Sequence, residues 1–234
     1  MKKDILFLGD IHGRFIKVMN DIKKYQFENI IIIQVGDFGI GFRPTILEQK
    51  DLNELNNVLN EKNIDMFVIR GNHDNPKFWT EERVVYSNIR LVKDYEVLDI
   101  NQEKFLLVGG AYSIDRDERK EGVDFWNGDI YKDKDLYWKD EIFAYIPLSV
   151  IHLRNINYVV THTAPMIVPP YNSKSKKWGN EVSNERIYMS NMFNDIRENN
   201  NIKKWFHGHF HESIKTNVFD TEFISLGIDE FHIL

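Results

Sequence analysis

Seven residues carry nitrogen or oxygen donors at places that invite a metal: Asp10, His12, Asp37, Asn72, His162, His209 and His211. Each comes shortly after a strand-like run, apolar in every case but the last, where two lysines precede Trp205-Phe206. Gly9-Asp10-Ile11-His12-Gly13 follows the run at 5–8, Gly36-Asp37 follows 30–35, and Gly71-Asn72-His73-Asp74 comes after 66–69. Thr161-His162-Thr163 follows 156–160, and His207-Gly208-His209-Phe210-His211 follows 203–206. The chain has no cysteine, so a transition-metal site has to be built from His, Asp, Glu or Asn. This donor set exceeds the needs of one tetrahedral ion. It suits two divalent ions about 3.5 to 4 Å apart that share a carboxylate and a water. Mixed imidazole and carboxylate donors favour Mn²⁺, Fe²⁺ or Zn²⁺ over Ca²⁺.

The elements that must position these residues can be read from periodicity. Runs at 5–8, 30–35 and 66–69 are short and apolar, the second of them rich in β-branched residues, as buried strands are. Between them Phe15, Val18, Met19 and Ile22, and then Leu52, Leu55, Val58 and Leu59, fall at helical spacing, which predicts helices over 15–25 and 45–60. The opening third is therefore a β-α-β-α-β unit. Further strands are expected at 95–100, 104–108, 156–160, 203–206, 213–218 and 222–226, with helices at 136–148 and 183–198. The predicted architecture is α/β, two facing mixed sheets with helices outside. Loops at the carboxyl ends of such strands converge on one edge, so five separate boxes can share one site. Glycine lets the chain turn sharply out of each strand and lets side chains crowd together. Asp10 and His12, like His209 and His211, are two apart, so in extended backbone each pair would point the same way.

At 234 residues, with 42% hydrophobic and 13% aromatic content, the chain has the balance of a packed globular protein, and one domain over 1–234 is expected. Stretches at 115–135 and 165–181 have weak periodicity and read as loops or a small cap. A net charge of −6 argues against a general nucleic-acid-binding surface, though a nucleic acid as substrate is left open. No apolar run reaches membrane-spanning length, and no secretory h-region is seen, so a cytoplasmic location is expected. Oligomeric state is not legible.

The ordered series GD-x-HG, GD, GNHD, TH and GH-x-H resembles the calcineurin-like metallophosphoesterase superfamily, from Asp10 to His211. A single GD or TH dipeptide says little; the series is specific. The resemblance implies a four-layer αββα sandwich and hydrolysis of a phosphate ester. By the same resemblance Asp10, His12, Asp37 and His211 would hold one ion. Asp37, Asn72, His162 and His209 would hold the other, with Asp37 as the bridge, and Mn²⁺ is the expected metal. His73 matches the family's catalytic histidine, which assists the leaving alkoxide. In-line attack by water would then proceed without a covalent enzyme intermediate. Phosphomonoesters are the expected substrates, with a phosphodiesterase or nuclease as the alternative and a non-catalytic scaffold of the same fold as a further rival.

The first and third boxes look most like serine/threonine protein phosphatases, whose second box continues GD-x-VDRG. Here the chain reads Gly36-Asp37-Phe38-Gly39-Ile40-Gly41, without the Asp and Arg that would orient the histidine and hold phosphate. Arg14, Arg43 and Arg116 are the candidate replacements. The segment from Gly109 to Arg116 resembles small bacterial and phage-type members. Asp74 is expected to bond local backbone amides, and His207 to be buried or supporting, because the GH-x-H pattern is filled without it. His152 and His232 read as structural residues. The run Lys174-Ser175-Lys176-Lys177-Trp178 reads as a solvated loop.

Overall fold

The computed structural model describes residues 2–42, 45–81, 86–122, 136–170 and 180–234. The chain opens with β1 (Asp4–Leu8), α1 (Phe15–Lys24), β2 (Ile30–Gln34), α2 (Thr45–Glu61), β3 (Asp65–Val68), the one-turn α3 (Lys77–Thr80) and β4 (Ile89–Leu91). Next come β5 (Glu96–Ile100), β6 (Glu103–Val108), β7 (Lys120–Glu121), β8 (Leu136–Tyr137) and β9 (Ile156–Thr161). The last elements are α4 (Asn180–Arg197), β10 (Lys204–His207), β11 (Ile214–Val218), β12 (Thr221–Ser225) and β13 (Phe231–Ile233).

One sheet has the order β13-β1-β2-β3-β4, parallel except for β13. The second runs β11-β12-β10-β9-β6-β5, with a parallel centre and antiparallel β11 and β5 at its edges. Alternation along β1 explains how the layers form. Leu6 and Leu8 point to one face, where they meet Phe15, Val18 and Ile22 of α1 and Leu52, Leu55 and Leu59 of α2. Ile5 and Phe7 point to the other, into a core shared with Leu107, Val160 and Phe206 of the second sheet. The Phe7 and Phe206 rings stack at 3.5 Å between centroids and pin the sheets together. The outer face of the second sheet packs Leu106, Val159 and Trp205 against Met189, Met192, Phe193 and Ile196 of α4. The result is four layers: helices, sheet, sheet, helix.

Expected strands and the first two helices form within a residue or two of their predicted bounds. The expected helix at 136–148 does not form: 136–137 is a strand and only 147–149 makes a turn of 3₁₀ helix. Tertiary hydrogen bonds hold this stretch extended. The Arg70 guanidinium takes the carbonyls of Asp140, Glu141 and Ile142, and the Glu141 carboxylate takes the amides of Trp138 and Ser113. The short strands β4 and β13 were not legible, being three residues each. Of the stretches expected as loops or cap, 123–135 and 171–179, with the 174–178 basic run, lie outside the described residues. No helix among the described residues is long and apolar enough to cross a membrane.

Candidate metal centre

β1, β2 and β3 are parallel neighbours in one sheet, and β9 and β10 in the other, so their carboxyl ends meet where the two sheets face each other. Asp10, Asp37 and Asn72 arrive from the first sheet, and His162, His209 and His211 from the second. The structure brings all seven donors together. Ligand atoms of Asp10, His12, Asp37 and His211 lie within 4.8 Å of one another. In this group His12 Nε2 is 3.1 Å from His211 Nε2, and His211 Nε2 is 3.3 Å from Asp10 Oδ2. A second group adjoins it: His162 Nε2 is 3.1 Å from both Asp37 Oδ1 and Asn72 Oδ1, and His209 Nδ1 is 2.9 Å from Asn72 Oδ1. Asp37 belongs to both, with Oδ1 toward His162 and Oδ2 at 3.8 Å from His12.

These contacts make little sense without a cation. The His162 ring donates through Nδ1 to the Val35 carbonyl at 2.8 Å, which leaves the Nε2 lone pair facing two oxygens. Only a proton or a metal reconciles that arrangement. Burial opposes charge on His162, but the Asp37 carboxylate outweighs it and pushes the imidazole up to about 9. Burial would likewise favour a neutral Asp37, yet His162, His73 and His12 hold its carboxyl well below the usual range. Burial and the neighbouring His162 keep His209 neutral, the form that offers a lone pair. Asp10 Oδ1 and Asp37 Oδ2 are buried with no hydrogen-bond partner, an arrangement that costs stability unless something else satisfies them. Donor separations near 3 Å are those of atoms each about 2.0 to 2.2 Å from one ion.

The local backbone is strained to achieve this. His12, Asp37, His209 and His211 all have positive φ, at 47°, 55°, 68° and 57°. Such residues cost about 1–2 kcal/mol each in a left-handed conformation, although Asp and His tolerate it better than most. The expectation of extended backbone in the paired boxes therefore fails. His209 and His211 do not point the same way but serve different groups, because the chain turns at each. Glycine is required where the loops cross. A Cβ on Gly71 would lie 2.1 Å from Asp37 Oδ1, and one on Gly208 would lie 2.1 Å from Asp10 Oδ1.

Asp74 holds the frame. Its fully buried carboxylate accepts the amides of Phe38, Gly39, Ile40 and Gly71, tying the loop that carries Asp37 to the loop that carries Asn72. His73 sits beside the donors, its ring 5.0 Å from that of His12 and its amide bonded to Asp37 Oδ1 at 2.8 Å. His207 is buried outside the cluster against the Phe210 ring, and burial pushes it down to about 3.

A cavity of about 240 Å³ opens over the donors, lined in part by His73, Asp115, Arg119, Pro170, Phe210 and Glu212. Its guanidinium is Arg119, which no sequence argument singled out. Arg119 lies 3.2 Å and 3.3 Å from the two His73 ring nitrogens and pairs with Asp115 at 2.6 Å. Its signal was present: Gly109-Gly110 after the apolar β6 repeats the punctuation of the donor boxes, but with no histidine behind it. Arg14 is not among the lining residues; it pairs with Asp229 at 3.2 Å. Arg116 pairs with Glu141 at 3.5 Å and covers the Tyr137 ring. Arg43 lies outside the described residues.

A family model for the calcineurin-like phosphoesterases matches residues 3–213. Over 131 residues the chain is 28% identical to the DNA double-strand break repair protein Mre11 of Methanocaldococcus jannaschii; the match covers 51% of this chain and 34% of that one. Among solved structures, phosphopantetheinyl hydrolase from Mycobacterium tuberculosis superposes with a TM-score of 0.51 at 14% identity, covering 97% of this chain and 90% of that chain. GAP50, the anchor in the inner membrane complex of Plasmodium, gives a TM-score of 0.50 at 14% identity, covering 97% and 72%. At these identities the structural likenesses concern the fold alone.

Proposed function

The chain belongs to the calcineurin-like phosphoesterase family, and from that premise we propose that it is a metal-dependent phosphomonoesterase. The observation that carries this reading is the pair of donor groups sharing Asp37, four residues in one and three more in the other. Asp10, His12, Asp37 and His211 would hold one divalent ion, and Asp37, Asn72, His162 and His209 the second. The oxygen and imidazole donors fit Mn²⁺, with Fe²⁺ or Zn²⁺ as alternatives. Two such ions supply Lewis acidity toward a water and toward the phosphoryl oxygens.

The protein's own groups do the rest. His73, at the rim of the donor set, lies in reach of a leaving-group oxygen and can pass it a proton. Arg119 presents a fixed guanidinium to the phosphoryl group, the task that the missing second-box arginine would have had. Asp115 holds that guanidinium in place. Pro170 and Phe210 supply an apolar wall for the leaving group.

A nuclease is the second reading, favoured by the Mre11 similarity. The described mouth of the cavity weighs against it, because Asp115 and Glu212 line it with negative charge. The successive phosphates of a polyanion meet more repulsion there in sum than the single phosphate of a small monoester does. A purely scaffolding role, as an anchor such as GAP50 suggests, does not explain a complete donor set. Parallel assays with Mn²⁺ on a chromogenic monoester, a bis-ester and single-stranded DNA rank the readings. The monoester is expected to turn over fastest; DNA cleavage without monoester turnover would reverse the order, and no metal-dependent turnover of any of them would defeat both.

A further inference from the structure

The side chain of Asn72 is an amide whose two ends are chemically opposite: the oxygen accepts and the nitrogen only donates. It enters the donor set usefully in one orientation alone. Its oxygen faces His162 Nε2 and His209 Nδ1, while its nitrogen donates to Ser113 Oγ at 3.0 Å. Reversal would turn two N–H groups onto the cation-binding space.

We infer that Ser113 is a positioning residue for the metal centre, which selects the orientation of Asn72 by accepting its amide hydrogen. Ser113 is only 1% exposed, so water does not compete for that hydrogen bond, and its own hydroxyl hydrogen goes to the Glu141 carboxylate, which leaves the oxygen only to accept from Asn72. Nor is Ser113 free to drift. Its amide donates to Glu141 at 3.1 Å, and the Glu141 carboxylate, itself fully buried, also takes the Trp138 amide at 2.8 Å. The Glu141 carbonyl in turn accepts the Ala111 amide at 3.0 Å and Arg70 Nη1 at 2.9 Å. Tyr112, between these residues, donates its amide to the buried Glu185 of α4 at 3.0 Å. The loop after β6 is thus bolted on both sides, and its fixed product is one hydroxyl aimed at Asn72. This inference rests on the metal reading above and extends it to a loop that carries none of the donors.

Calorimetric titration with Mn²⁺ alone tests it. Relative to wild type, S113A is expected to bind Mn²⁺ about 10–100-fold more weakly, the range typical of lost outer hydrogen bonds to a ligand. S113T, which keeps the hydroxyl, is expected to restore binding. In an N72D background the side chain offers oxygen at both ends, so adding S113A should change Mn²⁺ affinity less than threefold. A wild type that binds Mn²⁺ while S113A binds it equally well overturns the role of Ser113 and leaves the metal reading standing. An equal loss from S113A in both backgrounds reveals a packing effect and also overturns it. A wild type that binds no Mn²⁺ overturns both. Should the extra methyl of S113T disrupt the loop, the N72D pair decides alone.

Discussion

Asp37 stands at the junction of the two donor groups, with one carboxylate oxygen turned to each. D37A should therefore lower occupancy of both ions, and metal analysis that found two ions retained would contradict its shared position. H73A removes a group that holds no position in the donor set. Its metal content is expected to stay near that of wild type while turnover falls about 10²–10⁴-fold, as for a lost general acid; unchanged turnover removes His73 from the mechanism. R119M should lower kcat/KM toward a monoester by about 10²-fold with metal content intact, in line with the loss of one preorganised donor to a charged oxygen. A monoester KM and kcat indistinguishable from wild type would show that Arg119 takes no part in holding the phosphoryl group.

At the scale of elements, the site depends on two loops, joined at their far ends by the Asn75 amide on the Ile40 carbonyl at 2.9 Å and near the donors by the His73 amide on Asp37. Asp74 couples them through four amides, and D74A would leave those buried donors without their acceptor. Each orphaned amide costs roughly 1–3 kcal/mol, offset in part if water enters, so a destabilisation of at least about 2 kcal/mol is expected in urea unfolding. A loss below about 0.5 kcal/mol would mean the loops hold together by other contacts. Helix α4 performs a similar service on the opposite wall. Arg186, fully buried, donates to the carbonyls of Ala164, Pro165, Val168 and Pro170, which shapes the chain leading to the cavity wall at Pro170.

Over the whole molecule, buried acids link stability to pH: burial pushes Asp74 up to about 7, and it acts on two glutamates of the opposite wall in the same direction. Burial pushes Glu141 up to about 7 against an ordinary 4.5, despite the amides of Trp138 and Ser113, and burial also raises Glu185. For a carboxyl raised on folding, the folded state binds more protons than the unfolded one through the window between the two values. Its contribution is fully present below about pH 4.5 and is lost as the pH rises through 7. With metal chelated, wild type should lose stability relative to E141Q over that window, by up to about 1.4 kcal/mol per pH unit. Parallel unfolding curves for the two proteins from pH 4.5 to 7 would show that Glu141 does not titrate there.

The donor residues, the parallel strands that precede them and the faces of α1 and α2 were all legible in the linear sequence. Each rests on local chemistry: an apolar run, a glycine that frees the turn, and side chains repeating at helical spacing. The tertiary structure decided what depends on partners far along the chain. The stretch at 136–148 has the spacing of a helix, but Arg70 and the amides of Ala111 and Ser113 hold its polar groups in an extended path. His209 and His211 separate between the two groups because their backbone turns at positive φ, which no alternation rule anticipates. Arg119 and Ser113 reach the site through a loop that contains no donor box. Their part in it exists only once β6 has paired with β9 and set that loop beside Asn72 and His73.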